Sequence, residues 1–306
     1  MDILLANPRG FCAGVKRAIS TVEKAIETYG APIYVLHEIV HNRHVIDTLS
    51  SRGAIFVEEL EDIPRESITI FSAHGVSEDI VAKANSRNLK IIDATCPLVT
   101  KVHMQARRYS ANGMEVVIIG HPGHPEVEGT RGWVKGPVSI ISTKDDAKKF
   151  KPAAKKLAYV TQTTLSIDDT KEIIEILTSR FPQIDGPKLS DICYATQNRQ
   201  DAVKRLSEHI DVLLVVGSKN SSNSNRLKEK GEHHGVSSYL IDNKDNIDVD
   251  WFKNKRCIGI TAGASAPEIL VQEVVNKLKS CFTCNVIEVE GEEETIEFHL
   301  PKMEFF

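Results

Sequence analysis

The chain has little of several things, and each scarcity excludes a class. It carries no long run of charge of one sign: 38 basic residues stand against 42 acidic ones, a net charge of -4. That argues against nucleic acid as a partner and leaves room for a local anion site. No stretch approaches the ~18 consecutive apolar residues of a membrane span. The N-terminus begins on a strand, without the basic and apolar regions of an export signal. A soluble, cytoplasmic protein is expected. Cysteine is sparse, at six residues in 306 (Cys12, Cys96, Cys193, Cys257, Cys281 and Cys284). In a reducing compartment such thiols are packed, metal-bound or catalytic rather than disulfide-linked. Cys281 and Cys284 form one Cys-x-x-Cys pair, which lacks a partner pair for a four-ligand site and reads as incidental. Cys257, at a strand start, reads as core.

What the chain does have is alternation. Apolar residues make up 41% of it, ample for real cores at this length. Apolar strands ending in polar loops alternate with amphipathic helices, which implies an α/β protein with largely parallel sheets. The pattern recurs loosely three times, each pass arriving at a cysteine. Expected segments are 1–96, 97–193 and 194–284, with a tail, 285–306, packing back on the body as strand or extended chain.

Cys12 sits in a turn between the apolar run Ile3–Ala6 and a helix spaced by Val15, Ala18, Ile19, Val22 and Ile26. A helix N-terminus behind a thiol favours thiolate. Cys96, followed by Pro97, and Cys193 occupy the corresponding turns. A lone cysteine is most often a small buried hydrophobe, but three in equivalent turns of α/β units are different. If the units pack about a common axis, their strand-end loops converge and the three thiols can meet. Three converging thiolates imply a metal: zinc with a fourth, open position, or an iron-sulfur cluster with one iron unliganded by cysteine. Spacing does not choose between them. The same loops supply His41, His74, His124, Thr163, Ser221, Ser222, Asn223 and Ser265, donors without negative charge near helix N-termini, which suits a phosphate or diphosphate. Singly, each has a structural reading: Ser265 as a helix cap, 221–225 as a polar turn. Glu126 is an acid in a loop otherwise built for anions, either a solvated turn residue or backbone cap, or a proton donor.

The runs NPRGFCAGV (7–15), VLHEIVHN (35–42), FSAHGVS (71–77), DATCPLVTKVH (93–103) and GHPGHPEVEGT (120–130) appear in that order. VTQTTLS (160–166), DICYATQNRQ (191–200), VVGSKNSSNSNRL (215–227) and TAGASAP (261–267) follow. Together they resemble the LytB/IspH-type family of 4-hydroxy-3-methylbut-2-enyl diphosphate reductases, over nearly the whole chain. The resemblance implies a trefoil of three α/β units around one [4Fe-4S] cluster held by Cys12, Cys96 and Cys193. Its fourth iron would take the substrate oxygen and pass electrons to it. His41, His74, His124, Ser221, Ser222, Asn223 and Ser265 would hold the diphosphate, with Thr163 beside the hydroxyl and Glu126 relaying protons. A ferredoxin- or flavodoxin-like donor and a monomeric state are expected. Two other classes remain open at this point: a zinc-dependent phosphate-ester hydrolase using the same cysteines, and a non-enzymatic iron-sulfur sensor.

Overall fold

A computed structural model describes residues 1–187 and 190–303. Lys188 and Leu189 of the second expected segment, and the last three residues of the expected tail, lie outside the described residues.

The chain opens with β1 (Asp2–Leu5), α1 (Ala13–Tyr29), β2 (Ile33–Leu36), α2 (Arg43–Ser51), β3 (Ala54–Val57), β4 (Ile68–Phe71), α3 (Glu78–Ser86) and β5 (Lys90–Asp93). It continues with α4 (Pro97–Ala111), β6 (Glu115–Ile119), α5 (Pro125–Arg131), β7 (Val138–Ile141), α6 (Lys144–Lys149), β8 (Leu157–Thr161) and α7 (Ile167–Arg180). It ends with α8 (Tyr194–Ser207), β9 (Val212–Val216), α9 (Ser222–His233), β10 (Ser237–Ile241), β11 (Cys257–Ala262), α10 (Glu268–Cys281) and β12 (Asn285–Glu288).

These elements form two compact units. One comprises Met1–Val15, His41–Val45 and Tyr194–Glu297; the other comprises Lys16–Val40, Ile46–Cys193 and the described residues from Phe298. The first unit holds one sheet, ordered β10-β9-β11-β1-β12 and parallel throughout. Along β9 successive side chains point to opposite faces: Val212, Leu214 and Val216 join Ile258, Ile260 and the α10 residues Leu270, Val274 and Leu278. Leu213 and Val215 join Val203 and Leu206 of α8 and Leu227 of α9. Burial on both faces is why β9 is an unbroken apolar run.

The second unit holds two parallel sheets, β3-β2-β4-β5 and β7-β6-β8. β6 divides its side chains in the same way, Val117 and Ile119 to one core and Val116 and Ile118 to another.

The three sheets repeat one order. The first strand of each set lies between the two that follow: β2 between β3 and β4, β6 between β7 and β8, β9 between β10 and β11. A fourth position beyond the third strand is filled by β5 beside β4 and by β1 beside β11. Beside β8 it shrinks to one bridge, Ala158 to Asp185, closed by Tyr159 N–H to Asp185 O at 2.8 Å and Asp185 N–H to Leu157 O at 3.0 Å. From each fourth position the chain runs into a cysteine: Cys96 after β5, Cys12 after β1, Cys193 after Asp185. The N-terminal strand, read from sequence with 1–96, thus pairs with β11 of 194–284. β12 extends the sheet on the far side of β1, with Asp2 opposite Asn285 and Leu5 opposite Glu288.

Candidate functional site

The three cysteines occupy one local geometry. Each immediately precedes a helix, Cys12 before α1, Cys96 as the N-cap of α4 with Pro97 at its first position, and Cys193 before α8. None of these helices has an acidic residue in its first turn, so the positive end of each helix is left to another anion. Each cysteine N–H donates to a carbonyl two residues beyond a strand end: Cys96 to Ala73 after β4 (3.0 Å), Cys193 to Thr163 after β8 (3.1 Å) and Cys12 to Ala264 after β11 (3.3 Å). All three thiols are half-exposed. Such a set suits a cluster, which takes one thiolate per iron. Among the described residues, no group of three or more His, Cys, Asp and Glu side chains stands at the spacing of ligands to a single ion.

In the first unit, Cys12 lies in a neighbourhood with five of the expected anion donors. Ala264, whose carbonyl holds the Cys12 amide, donates its own N–H to Asn223 Oδ1 at 2.9 Å. Asn223 in turn donates to Thr196 Oγ1 of α8 at 3.3 Å. Ser265 Oγ donates to the His41 carbonyl at 3.1 Å, and Asn220 approaches His41 Nδ1 at 3.4 Å. Ser221 is the N-cap of α9, accepting from Ser224 N–H at 3.3 Å, and Ser222 and Asn223 form the first turn of that helix. Residues 221–225 are therefore a helix start. Ser265 bonds His41 rather than capping α10, whose N-cap is Pro267.

In the second unit the centre is Glu126. It lies in the first turn of α5 and not in a loop: Pro125 takes the first helical position and His124 caps it, its Nδ1 accepting from Glu126 N–H at 3.2 Å. α5 spans only seven residues, too few for a periodic apolar signal. The Glu126 side chain is buried, with Oε1 accepting from Thr163 N–H at 2.6 Å and Oε2 from Thr163 Oγ1 at 3.1 Å. Burial raises its pKa to about 7, the two Thr163 hydrogen bonds working against that rise and nearby Asp191 adding to it. Thr163 is also the residue whose carbonyl holds Cys193. One short segment therefore links a carboxyl of raised pKa, a hydroxyl and a cysteine. The His74 and His124 rings meet edge-on, centroids 5.9 Å apart, and Ser72 Oγ lies 3.4 Å from His74 Nδ1.

Sequence reasoning missed Asp191. Its carboxylate accepts from Thr161 N–H at 3.2 Å and its own N–H donates to Thr161 Oγ1 at 3.0 Å, fastening the approach to Cys193 onto the end of β8. Its position two residues before a cysteine was the available signal. Cys257, at the start of β11, is half-buried rather than core, as is Cys284, and Cys281 is exposed.

Proteins similar to this chain in sequence are named as reductases. A 4-hydroxy-3-methylbut-2-enyl diphosphate reductase of Pseudoalteromonas translucida (strain TAC 125) is 57% identical over 98% of this chain and 99% of its own length. One of Escherichia coli O9:H4 (strain HS) is 56% identical over 99% and 97%. Among solved structures, the E-1-hydroxy-2-methyl-but-2-enyl-4-diphosphate reductase from Plasmodium falciparum matches with a TM-score of 0.93 at 40% identity, covering 98% of this chain and 95% of that one. By this kinship the chain is an oxidoreductase. The family model described as LytB protein matches residues 3–279, and the chain belongs to the LytB family.

Proposed function

We propose that the chain catalyses reductive removal of the hydroxyl group of (E)-4-hydroxy-3-methylbut-2-enyl diphosphate, giving isopentenyl and dimethylallyl diphosphates, the last step of the methylerythritol phosphate route to isoprenoids. Two electrons and two protons enter, one carbon–oxygen bond breaks and water leaves. Cys12, Cys96 and Cys193 would hold a [4Fe-4S] cluster, as the thirds of three pseudo-repeated segments, 1–96, 97–193 and 194–284, with 285–306 as the tail. When bound, the cluster supplies Lewis acidity at its open iron and passes electrons singly from a ferredoxin- or flavodoxin-like donor.

The observation that carries this reading is the Glu126–Thr163 pair beside the Cys193 amide. Hydroxide is a poor leaving group, so its departure needs a proton at the oxygen. A carboxyl with a pKa near 7 carries that proton at neutral pH and can release it. When Glu126 is protonated, its Oε2–H can donate to Thr163 Oγ1, which frees the threonine hydroxyl proton for the substrate oxygen. Thr163 N–H meanwhile fixes Oε1, so the carboxyl keeps one orientation through the transfer. The N-terminus of α9, with Ser221, Ser222 and Asn223 and no acid in its first turn, suits a diphosphate, and Ser265, His41, His74 and His124 add donors. The protein acts as a cytoplasmic monomer on this reading. No helix among the described residues is long and apolar enough to cross a membrane.

The deciding experiment measures iron, acid-labile sulfide and zinc in protein purified without oxygen, with visible spectra before and after adding hydroxymethylbutenyl diphosphate. A brown protein with cluster-level iron and sulfide, whose spectrum shifts on adding that diphosphate, is expected. Colourless zinc protein would mean a hydrolase, and a cluster blind to the diphosphate would mean a sensor.

A further inference from the structure

Three basic side chains follow the three cysteines at nearly the same spacing. Arg17 comes five residues after Cys12, Lys101 five after Cys96 and Arg199 six after Cys193, each on the helix its cysteine precedes. Each one reaches the segment that leads into the next cysteine in the cycle. Arg17 Nη1 donates to Thr95 O at 3.0 Å and Nη2 to Asp93 O at 3.4 Å, just ahead of Cys96. Lys101 Nζ donates to Asp191 Oδ1 at 3.5 Å, two residues ahead of Cys193. Arg199 Nε and Nη2 both donate to Gly10 O, at 3.0 and 2.8 Å, two residues ahead of Cys12. The order 12, 96, 193 thus closes on itself.

The Arg199 tie is the most complete. Its side chain is buried, and its remaining N–H groups donate to Ala195 O at 2.8 Å and to Glu294 Oε1 and Oε2 at 2.8 and 3.1 Å. All five guanidinium donors are therefore used, in the bidentate geometry that gives arginine its strongest pairing. Gly10 has φ +67, and a Cβ there would lie 3.1 Å from Ala266 O, so the turn that presents its carbonyl tolerates little else. Glu294 belongs to the tail, which follows the N-terminal segment residue by residue. β12 pairs with β1, Val289 N–H donates to Leu5 O at 3.0 Å, and a Cβ on Gly291 would strike Asn7 O. The tail returns at the Arg17 tie, where His299 O accepts from Arg17 Nε at 2.8 Å.

We propose that Arg17, Lys101 and Arg199 are positioning residues, each tying the helix behind one cysteine to the turn that carries the next, and that the C-terminal tail locks the Arg17 and Arg199 ties through the His299 carbonyl and Glu294. On the reading of these cysteines as cluster ligands, the ties hold the three turns ready for the cluster. The tail acts as a strap on two of them.

The test uses the full-length, cluster-free protein, held reduced without oxygen, and follows alkylation of each cysteine by iodoacetamide with mass spectrometry. The pattern to look for is displacement: a variant speeds the next cysteine and spares the one on its own helix. Arg17→Met should accelerate Cys96 about tenfold, as expected for loss of charged hydrogen bonds, and leave Cys12 unchanged. Lys101→Met, at an exposed side chain, should accelerate Cys193 about twofold and spare Cys96. Glu294→Gln, which spares buried Arg199 itself, should accelerate Cys12 about threefold and leave Cys193 alone. Arg17→Lys and Lys101→Arg should restore most of the protection. Acceleration on a variant's own helix, equal acceleration of all three cysteines, or no change would overturn the proposal. Should Arg17→Met fail to fold, the Lys101 and Glu294 variants carry the decision. Iron release from loaded protein to a chelator should quicken in the same variants. A wild-type chain that takes up no iron would sink the cluster reading while the alkylation pattern still decides this one.

Discussion

Glu126 is where burial sets chemistry. In water its carboxyl ionises near 4.5, whereas burial in the folded chain holds the proton to about 7. Between those values the native state binds more protons than the unfolded one, so stability falls as pH rises, by roughly 3 kcal/mol in all, and levels off above the upper value. Its stabilising share is complete below the unfolded pKa and gone above the folded one. Glu126→Gln removes this titration. Melting temperatures of wild type and variant should therefore diverge from about pH 5 to about pH 7, wild type losing ground; parallel curves would contradict the burial account. The same variant should keep cluster and substrate binding while losing about a hundredfold or more in turnover, and near-normal turnover would remove Glu126 from the mechanism. The acid was visible in the sequence as the odd carboxyl in a run of histidines and glycines. Its burial was not, because burial depends on Thr163, 37 residues away, supplying both hydrogen bonds.

At the scale of elements, helix starts hold many of the candidate residues. Ser77 and Ser166 cap α3 and α7 by accepting from Ile80 and Asp169 N–H groups, and Pro97 opens α4. α9 uses Ser221 in the same way, so Ser221→Ala should lower stability by about 1 kcal/mol in chemical denaturation and weaken diphosphate binding together. Loss of affinity with full stability would mean the hydroxyl serves only the ligand. Several elements are too short to show a clean apolar period: β7 at four residues, α6 at six and α5 at seven. α6 is nonetheless marked by a capping box from Thr143 to Asp146, a local signal independent of length.

For the whole molecule, the proposed function makes the three cysteines one functional set. Replacing Cys193 with serine should drop iron and sulfide to background while far-UV circular dichroism stays unchanged, since the Cys193 amide bond to Thr163 is a backbone one. An intact cluster in that variant would break the assignment. By itself the sequence determined the α/β alternation, the parallel sheets and the loops bearing Cys12, Cys96 and Cys193, because apolar period is a local property of consecutive residues. Which strand completes which sheet was decided only by the tertiary structure. β1 lies beside β11, more than 250 residues distant, and no local pattern encodes a partner so far along the chain. The ties of Arg17, Lys101 and Arg199 have the same character. Their spacing after each cysteine is legible in the sequence, but the carbonyls and the carboxylate they reach are set by which turns the sheets bring alongside them.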